Sequence, residues 1–189
     1  MLKLFTEALG KFITARLASM PEKPVASFGL PGSVMGENAI NIFLTAIAED
    51  AELRSNEPQL ERAAFGWVET KPPLRLKCTY LVSAWPVFPE GHTSALMQAR
   101  LLGAAYAVIA SASKLPGAFI PAPLKAAGLP APVIAMPINA VPPPPDFWIS
   151  AGCSYHAAFS FTATVSLPNA EERYDHVVEE VRIDYQIKP

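Results

Sequence analysis

Residues 72–86, PPLRLKCTYLVSAWP, decide the fold. Between flanking prolines the side chains alternate with a period of two, the signature of an extended strand. Leu74, Leu76, Cys78, Tyr80, Val82 and Ala84 fall on one side, and Arg75, Lys77, Thr79, Leu81, Ser83 and Trp85 on the other. The first side is a core face. The second mixes two positive charges with two large apolar groups, which is wrong for a face in water. Something other than water is expected to cover it, such as the proline-rich segment described below. Arg75→Glu combined with Lys77→Glu tests that expectation.

Working outward, residues 94–113 read as a helix capped by Ser94, with Leu101, Ala105, Val108, Ile109 and Ala112 as its apolar stripe. Residues 38–48 read as a strand, with Ile40, Ile42, Leu44 and Ala46 on one side and Phe43 and Ile47 on the other, so both faces are expected to be covered. Residues 2–19 place Phe5, Leu9, Phe12, Ile13 and Leu17 at helical spacing, and Pro21 and Pro24 stop that helix. Residues 49–71 are polar without a clean period and read as a long loop with a short helical turn.

Residues 114–146 hold ten of the twenty prolines. Such a run is expected to be neither helix nor central strand. It reads as an extended arm or loop laid on a surface, with a flexible linker as the alternative and a short edge strand at PVIAMPI. From Cys153 to Leu167 the alternation runs for fifteen positions, about 50 Å if unbroken. PNAEER follows as a turn. Residues 177–188 alternate again, with Val177, Val181, Ile183, Tyr185 and Ile187 inward and Arg182, Asp184, Gln186 and Lys188 outward, as the antiparallel partner of the long strand. The sum is an α+β fold: a single domain over 1–189, with a mainly antiparallel sheet of four to five strands flanked by two helices.

Charged residues make up 17% of the chain and hydrophobic ones 51%. The charged share is below the roughly 25% of an average soluble domain. Surface hidden against partners would produce this, and so would the Ala and Pro content. The net charge is −2 and basic residues are scattered, so nothing favours a nucleic-acid partner and none is expected. Cys78 and Cys153 lie on apolar strand faces and read as buried free thiols of a reducing compartment; a disulfide between neighbouring strands is the alternative. Lys3, Glu7, Lys11 and Arg16 interrupt the N-terminal stretch, so it does not read as a signal peptide. Residues 95–112 read as too polar and too short for a membrane span. Both readings favour synthesis and assembly in the cytoplasm.

Catalytic chemistry needs a convergent set, and none is legible. His92, His156 and His176 lack metal spacing, and the two cysteines lack a ligand partner. Cys153 and His156 stand three apart on an expected strand and would point to opposite faces, which argues against a dyad. GLPGS and SAGCS do not match the serine-hydrolase elbow, and no phosphate-binding glycine pattern occurs. Trp67, Trp85 and Trp148 read as loop anchors, with a ligand pocket as the alternative.

The order of motifs carries more than any one of them. INIFLTAIAEDAELRSNEP sets a strand before a loop holding Arg54 and Asn56. PPLRLKCTYLVSAWP follows, then ARLLGAAYAVIASASKLPG, then DFWISAGCSYHAAFSFTATVSL. This order resembles the N-terminal domain of the tail-cap, or tail-terminator, proteins of extracellular contractile injection systems of the antifeeding-prophage type.

The resemblance implies a sheet flanked by helices that closes into a sixfold ring on the distal end of the inner tube and sheath, ends their polymerisation and holds sheath to tube. It implies inner tube protein and sheath protein as partners, no cofactor, no catalytic residue, and release within an extracellular particle. Arg54, Asn56, Arg75, Lys77, Leu81 and Trp85 are the expected subunit or tube interface. Arg182, Asp184, Gln186 and Lys188 mark an edge strand for sheath attachment by strand addition. The readings outside this class are a small-ligand or lipid-binding module and an enzyme with dispersed residues.

Overall fold

A computed structural model of the chain describes residues 1–33, 36–53, 57, 59–63, 66–87, 92–135, 144–168 and 171–174; for 59–63, 66–70, 92 and 171–174 the description is of the backbone. The elements in order are α1 (Leu2–Leu17), β1 (Val25–Ser27), β2 (Ala39–Glu49), a 3-10 turn (Ala51–Leu53), β3 (Gln59–Ala63), β4 (Gly66–Thr70), β5 (Leu74–Trp85), α2 (His92–Ala110), α3 (Ala122–Ala126), β6 (Val133–Ala135), α4 (Pro145–Ser150), β7 (Ala158–Leu167) and β8 (Glu171–Tyr174).

The alternating stretch between the prolines is the central strand of a five-stranded sheet ordered β1-β2-β5-β7-β6. β1 runs parallel to β2 and the remaining pairs are antiparallel. Its core face carries Cys78, Tyr80, Val82 and Ala84 beside Ile40 and Ile42 of β2 and Phe161, Ala163 and Val165 of β7. Phe5, Leu9, Phe12, Ile13 and Leu17 of α1 and Leu101, Ala105 and Ile109 of α2 close over it. Each large apolar group buried this way contributes about 1.5–3 kcal/mol. Tyr80 sits at the centre, stacked on Phe161 with ring centroids 5.3 Å apart, its hydroxyl 2.9 Å from that of Thr6.

Burial pushes the Tyr80 phenol up to about 12, opposed by the Thr6 hydrogen bond and reinforced by Cys78. The folded chain therefore keeps a proton that the unfolded chain releases near pH 10. Stability from this group is complete below about pH 10 and falls by about 1.4 kcal/mol per pH unit up to about pH 12. Urea midpoints across pH 8–12 should show this alkaline decline, and Tyr80→Phe should flatten it.

Several expectations are corrected. β2 has a bulge between Leu44 and Ala46, so Ala46 pairs with Thr79 and Ile47 with Cys78. The extra residue reverses the alternation, placing Ile47 rather than Ala46 on the core side, where it is 51% exposed. The loop expected at 49–71 contains the β3–β4 hairpin, and β4 pairs with β8 in a second sheet. Five-residue strands are too short for their alternation to stand out in a polar segment. β8 begins inside PNAEER, so part of that expected turn is strand; residues 177–188 lie outside the described residues.

α2 begins two residues before Ser94, which is inside the helix rather than its cap. Its residues 93–110 are long and apolar enough to cross a membrane by length and composition, contrary to the reading of residues 95–112. Arg100 is the one charge there, and alanines supply the apolar count. Leu101, Ala105 and Ile109 are nonetheless buried in the sheet–helix core.

The proline-rich segment does form helix, in α3 and in the first two residues of α4. Pro121 is the N-cap of α3 and Pro123 stands in its first turn, where a missing N–H costs no helical bond. The edge strand expected at PVIAMPI is β6, paired with β7. β7 starts at Ala158, five residues later than expected. The preceding residues belong to α4 and its exit turn, closed by Gly152 at φ 72°.

Candidate functional site

The second face of the sheet is the unusual side of β5, and the register sets its composition. Arg75 lies opposite Ser166, Lys77 opposite Thr164, Thr79 opposite Thr162 and Leu81 opposite Ser160 on β7. On β2, Phe43 lies opposite Leu81 and Asn41 opposite Ser83. Three zones follow along the strand.

The first is charged. Arg75 Nη1 donates to Ser166 Oγ at 2.5 Å. Lys77 Nζ stands 3.9 Å from Asp50 Oδ1, with the lysine side chain 44% exposed and the aspartate 5%. Thr164 Oγ1 donates to Asp50 Oδ2 at 3.2 Å. A carboxylate so buried depends on these partners, because water cannot replace them.

The middle zone is a cavity of about 340 Å³. Its lining includes Phe43, Leu81, Pro144 and Phe147, with Thr79 and Ser160 supplying hydroxyls. Leu81 is 1% exposed.

The third zone is aromatic. Trp148 of α4 is fully buried; its ring lies 5.4 Å from Phe147 and 6.1 Å from His156. His156 stacks on Trp85 at 4.0 Å, and the Trp85 indole N–H donates to Ser83 Oγ at 2.9 Å. Phe147 reaches back to Phe43 at 6.1 Å. α4 and its exit turn therefore form a strap across this end of the face. The strap lies close to the loop before β2: a Cβ on Gly32, whose φ is 88°, would stand 2.8 Å from Cys153 Cβ. Gly32→Ala is expected to cost about 2 kcal/mol or more, from left-handed strain plus this clash, measured by urea unfolding.

Of the expected interface residues, Arg75, Lys77, Leu81 and Trp85 share this one face. Leu81 is 1% exposed, and Trp85 is half-buried beneath His156. Arg54 and Asn56 lie outside the described residues, as do Arg182, Asp184, Gln186 and Lys188. Asp50, Phe43 and Phe147 were missed. Nothing in the polar run 49–71 marks Asp50 as buried, and Phe147 lies between the proline-rich segment 114–146 and the strand expected from Cys153, in a stretch with no period of its own.

Cys153 is not on a strand, so the opposite-face argument about His156 does not hold. Instead the two are committed to different backbone carbonyls. Cys153 Sγ donates to Trp148 C=O at 3.7 Å, and His156 Nδ1 donates to Ser154 C=O at 2.8 Å. Burial pushes the Cys153 thiol up, away from the nucleophilic thiolate. Both cysteines are free; Cys78 is buried and Cys153 half-buried. Among the described residues no group of three or more His, Cys, Asp and Glu is placed to hold a metal ion.

A helix-backed α+β sheet of this design is shared with two cryo-EM structures of injection-particle terminators. One is the sheath/tube terminator of the extracellular contractile injection system PVC in its extended state, at TM-score 0.70 and 18% identity, covering 100% of this chain and 64% of the other. The second is the tube-terminating cap of the anti-feeding prophage, at TM-score 0.66 and 19% identity, covering 97% and 60%. The chain thus spans about three fifths of the length of these terminators. No curated protein matches its sequence. The Pvc16 N-terminal domain family matches residues 5–179, and the chain belongs to that family. This agrees with the resemblance read from the order of its motifs.

Proposed function

We propose that the chain is a structural cap of a contractile injection particle, not an enzyme. It sits as a ring on the distal end of the inner tube and sheath, ends their polymerisation and holds one to the other. The observation that carries this reading is the family match over residues 5–179, made by a chain whose fold is that of two solved terminators. In this reading the whole chain acts as one domain. The ring is a hexamer closed by a head-to-tail interface. The protein is made in the bacterial cytoplasm and leaves in the assembled particle.

Arg75 and Lys77, the exposed end of the second sheet face, contact a neighbouring subunit or the tube, together with Arg54 and Asn56. Arg182, Asp184, Gln186 and Lys188 belong to the edge offered to the sheath.

Deletion of the gene in a particle-producing strain tests the role. Expected are tubes and sheaths of uncontrolled length by electron microscopy, restored to uniform length by the native gene. Uniform particles without it would overturn the reading. Native mass spectrometry of the isolated protein should give a species near six times 20.3 kDa. Removal of 177–188 from a chain that still folds should abolish sheath attachment.

A further inference from the structure

The geometry points to the middle of the second sheet face as a docking groove for an extended acidic segment that carries one aromatic or large aliphatic anchor. The cavity of about 340 Å³ under Phe147 is at the small end of what cofactors and drug-sized ligands occupy. It suits one large side chain, with Phe43, Leu81 and Phe147 as apolar walls and Thr79 and Ser160 able to hydrogen-bond a passing backbone.

The groove has one closed and one open end. The Trp148–His156–Trp85 stack blocks it on one side. On the other, β5 continues to Lys77 and Arg75. Those two cations outnumber Asp50, which is buried and already engaged by Lys77 and Thr164. A ligand leaving the cavity at the open end therefore meets net positive charge and partly exposed cationic heads. An acidic partner complements this, and a basic one is repelled.

Spacing sets the register of the ligand. Lys77 lies two residues beyond Thr79 on the same face, about 7 Å along the strand. The recognised pattern is an anchor followed two residues later, on the same side of an extended chain, by a carboxylate. Where Arg75 and Lys77 meet a neighbouring subunit or the tube, that partner supplies the acidic segment; the cap assignment itself is tested separately, by particle length.

The probe is a fluorescein-labelled peptide, Gly-Phe-Ser-Glu-Glu amide, titrated with the full chain by anisotropy. Two companions have Gln-Gln for Glu-Glu or Ala for Phe. Expected is saturable binding of the first peptide that weakens with salt. The Gln-Gln peptide should bind about three- to fivefold more weakly and the Ala peptide tenfold or more. Lys77→Gln should reproduce the charge loss and Lys77→Arg should keep most of the affinity. Ser160→Phe, which fills the cavity, should abolish binding; if that variant does not fold, the Lys77 pair and the peptide series decide.

Equal binding of charged and neutral peptides, or no saturable binding of any peptide by the native chain, overturns the proposal. So does sedimentation showing that Ser160→Phe and Lys77→Gln disrupt self-association while the peptide fails to bind, since a second copy is then the occupant.

Discussion

Trp148→Ala is expected to destabilise the chain by about 3–5 kcal/mol in urea unfolding. The residue is 1% exposed and ties the strap to the sheet. Truncating it leaves a cavity between Phe147 and His156, and the same change should free His156 from its stack on Trp85. A red shift of Trp85 emission is the accompanying sign. Trp148→Phe should cost much less, about 1–2 kcal/mol, because the indole N–H has no acceptor among the described residues and no hydrogen bond is lost. Equal costs for the two substitutions would show that the indole N–H, not packing, holds the strap.

Lys77→Glu is expected to destabilise by about 2–4 kcal/mol at neutral pH, through charge rather than packing. It sets a second carboxylate beside Asp50, where Lys77 Nζ now stands 3.9 Å from Oδ1. Like charges at that distance repel by about 4 kcal/mol at an intermediate effective dielectric. Sharing a proton raises the folded-state pKa of one carboxyl above its unfolded value. The stability lost by the variant should therefore return as the pH falls below about 5, the reverse of ordinary acid destabilisation. Lys77→Gln should cost only about 1–2 kcal/mol, since the lysine is 44% exposed and water takes over part of its role. This pair bears on the cap assignment as well. The double reversal Arg75→Glu with Lys77→Glu would disturb the monomer through Asp50, whereas Lys77→Gln with Arg75→Gln removes interface charge with less damage to the fold. If particles capped by that neutral variant have normal length, Arg75 and Lys77 form no essential contact.

The legible parts of the fold were those with a long, unbroken period. β5 carries twelve alternating residues between prolines and is found at Leu74–Trp85. α1 repeats its apolar groups over four turns and buries the five that were expected. The edge strand among the prolines was legible because proline excludes the alternatives. The misreadings share a cause, which is that local pattern does not report local environment. Alternation before Ala158 was real in sequence but is absorbed by the turn after α4. The bulge at Thr45 leaves no mark in composition, yet it reverses the side on which Ile47 falls.

The same division applies to the site. That one side of β5 combines Arg75 and Lys77 with Leu81 and Trp85 follows from residue order, because a strand's two-residue period assigns sides without knowledge of neighbours. What that side meets is set by the folded chain. Asp50 arrives from the end of β2, Ser166 and Thr164 from β7, and Phe147, Trp148 and His156 from a strap more than sixty residues downstream of Trp85. Such encounters depend on register and chain return, so no window of sequence contains them.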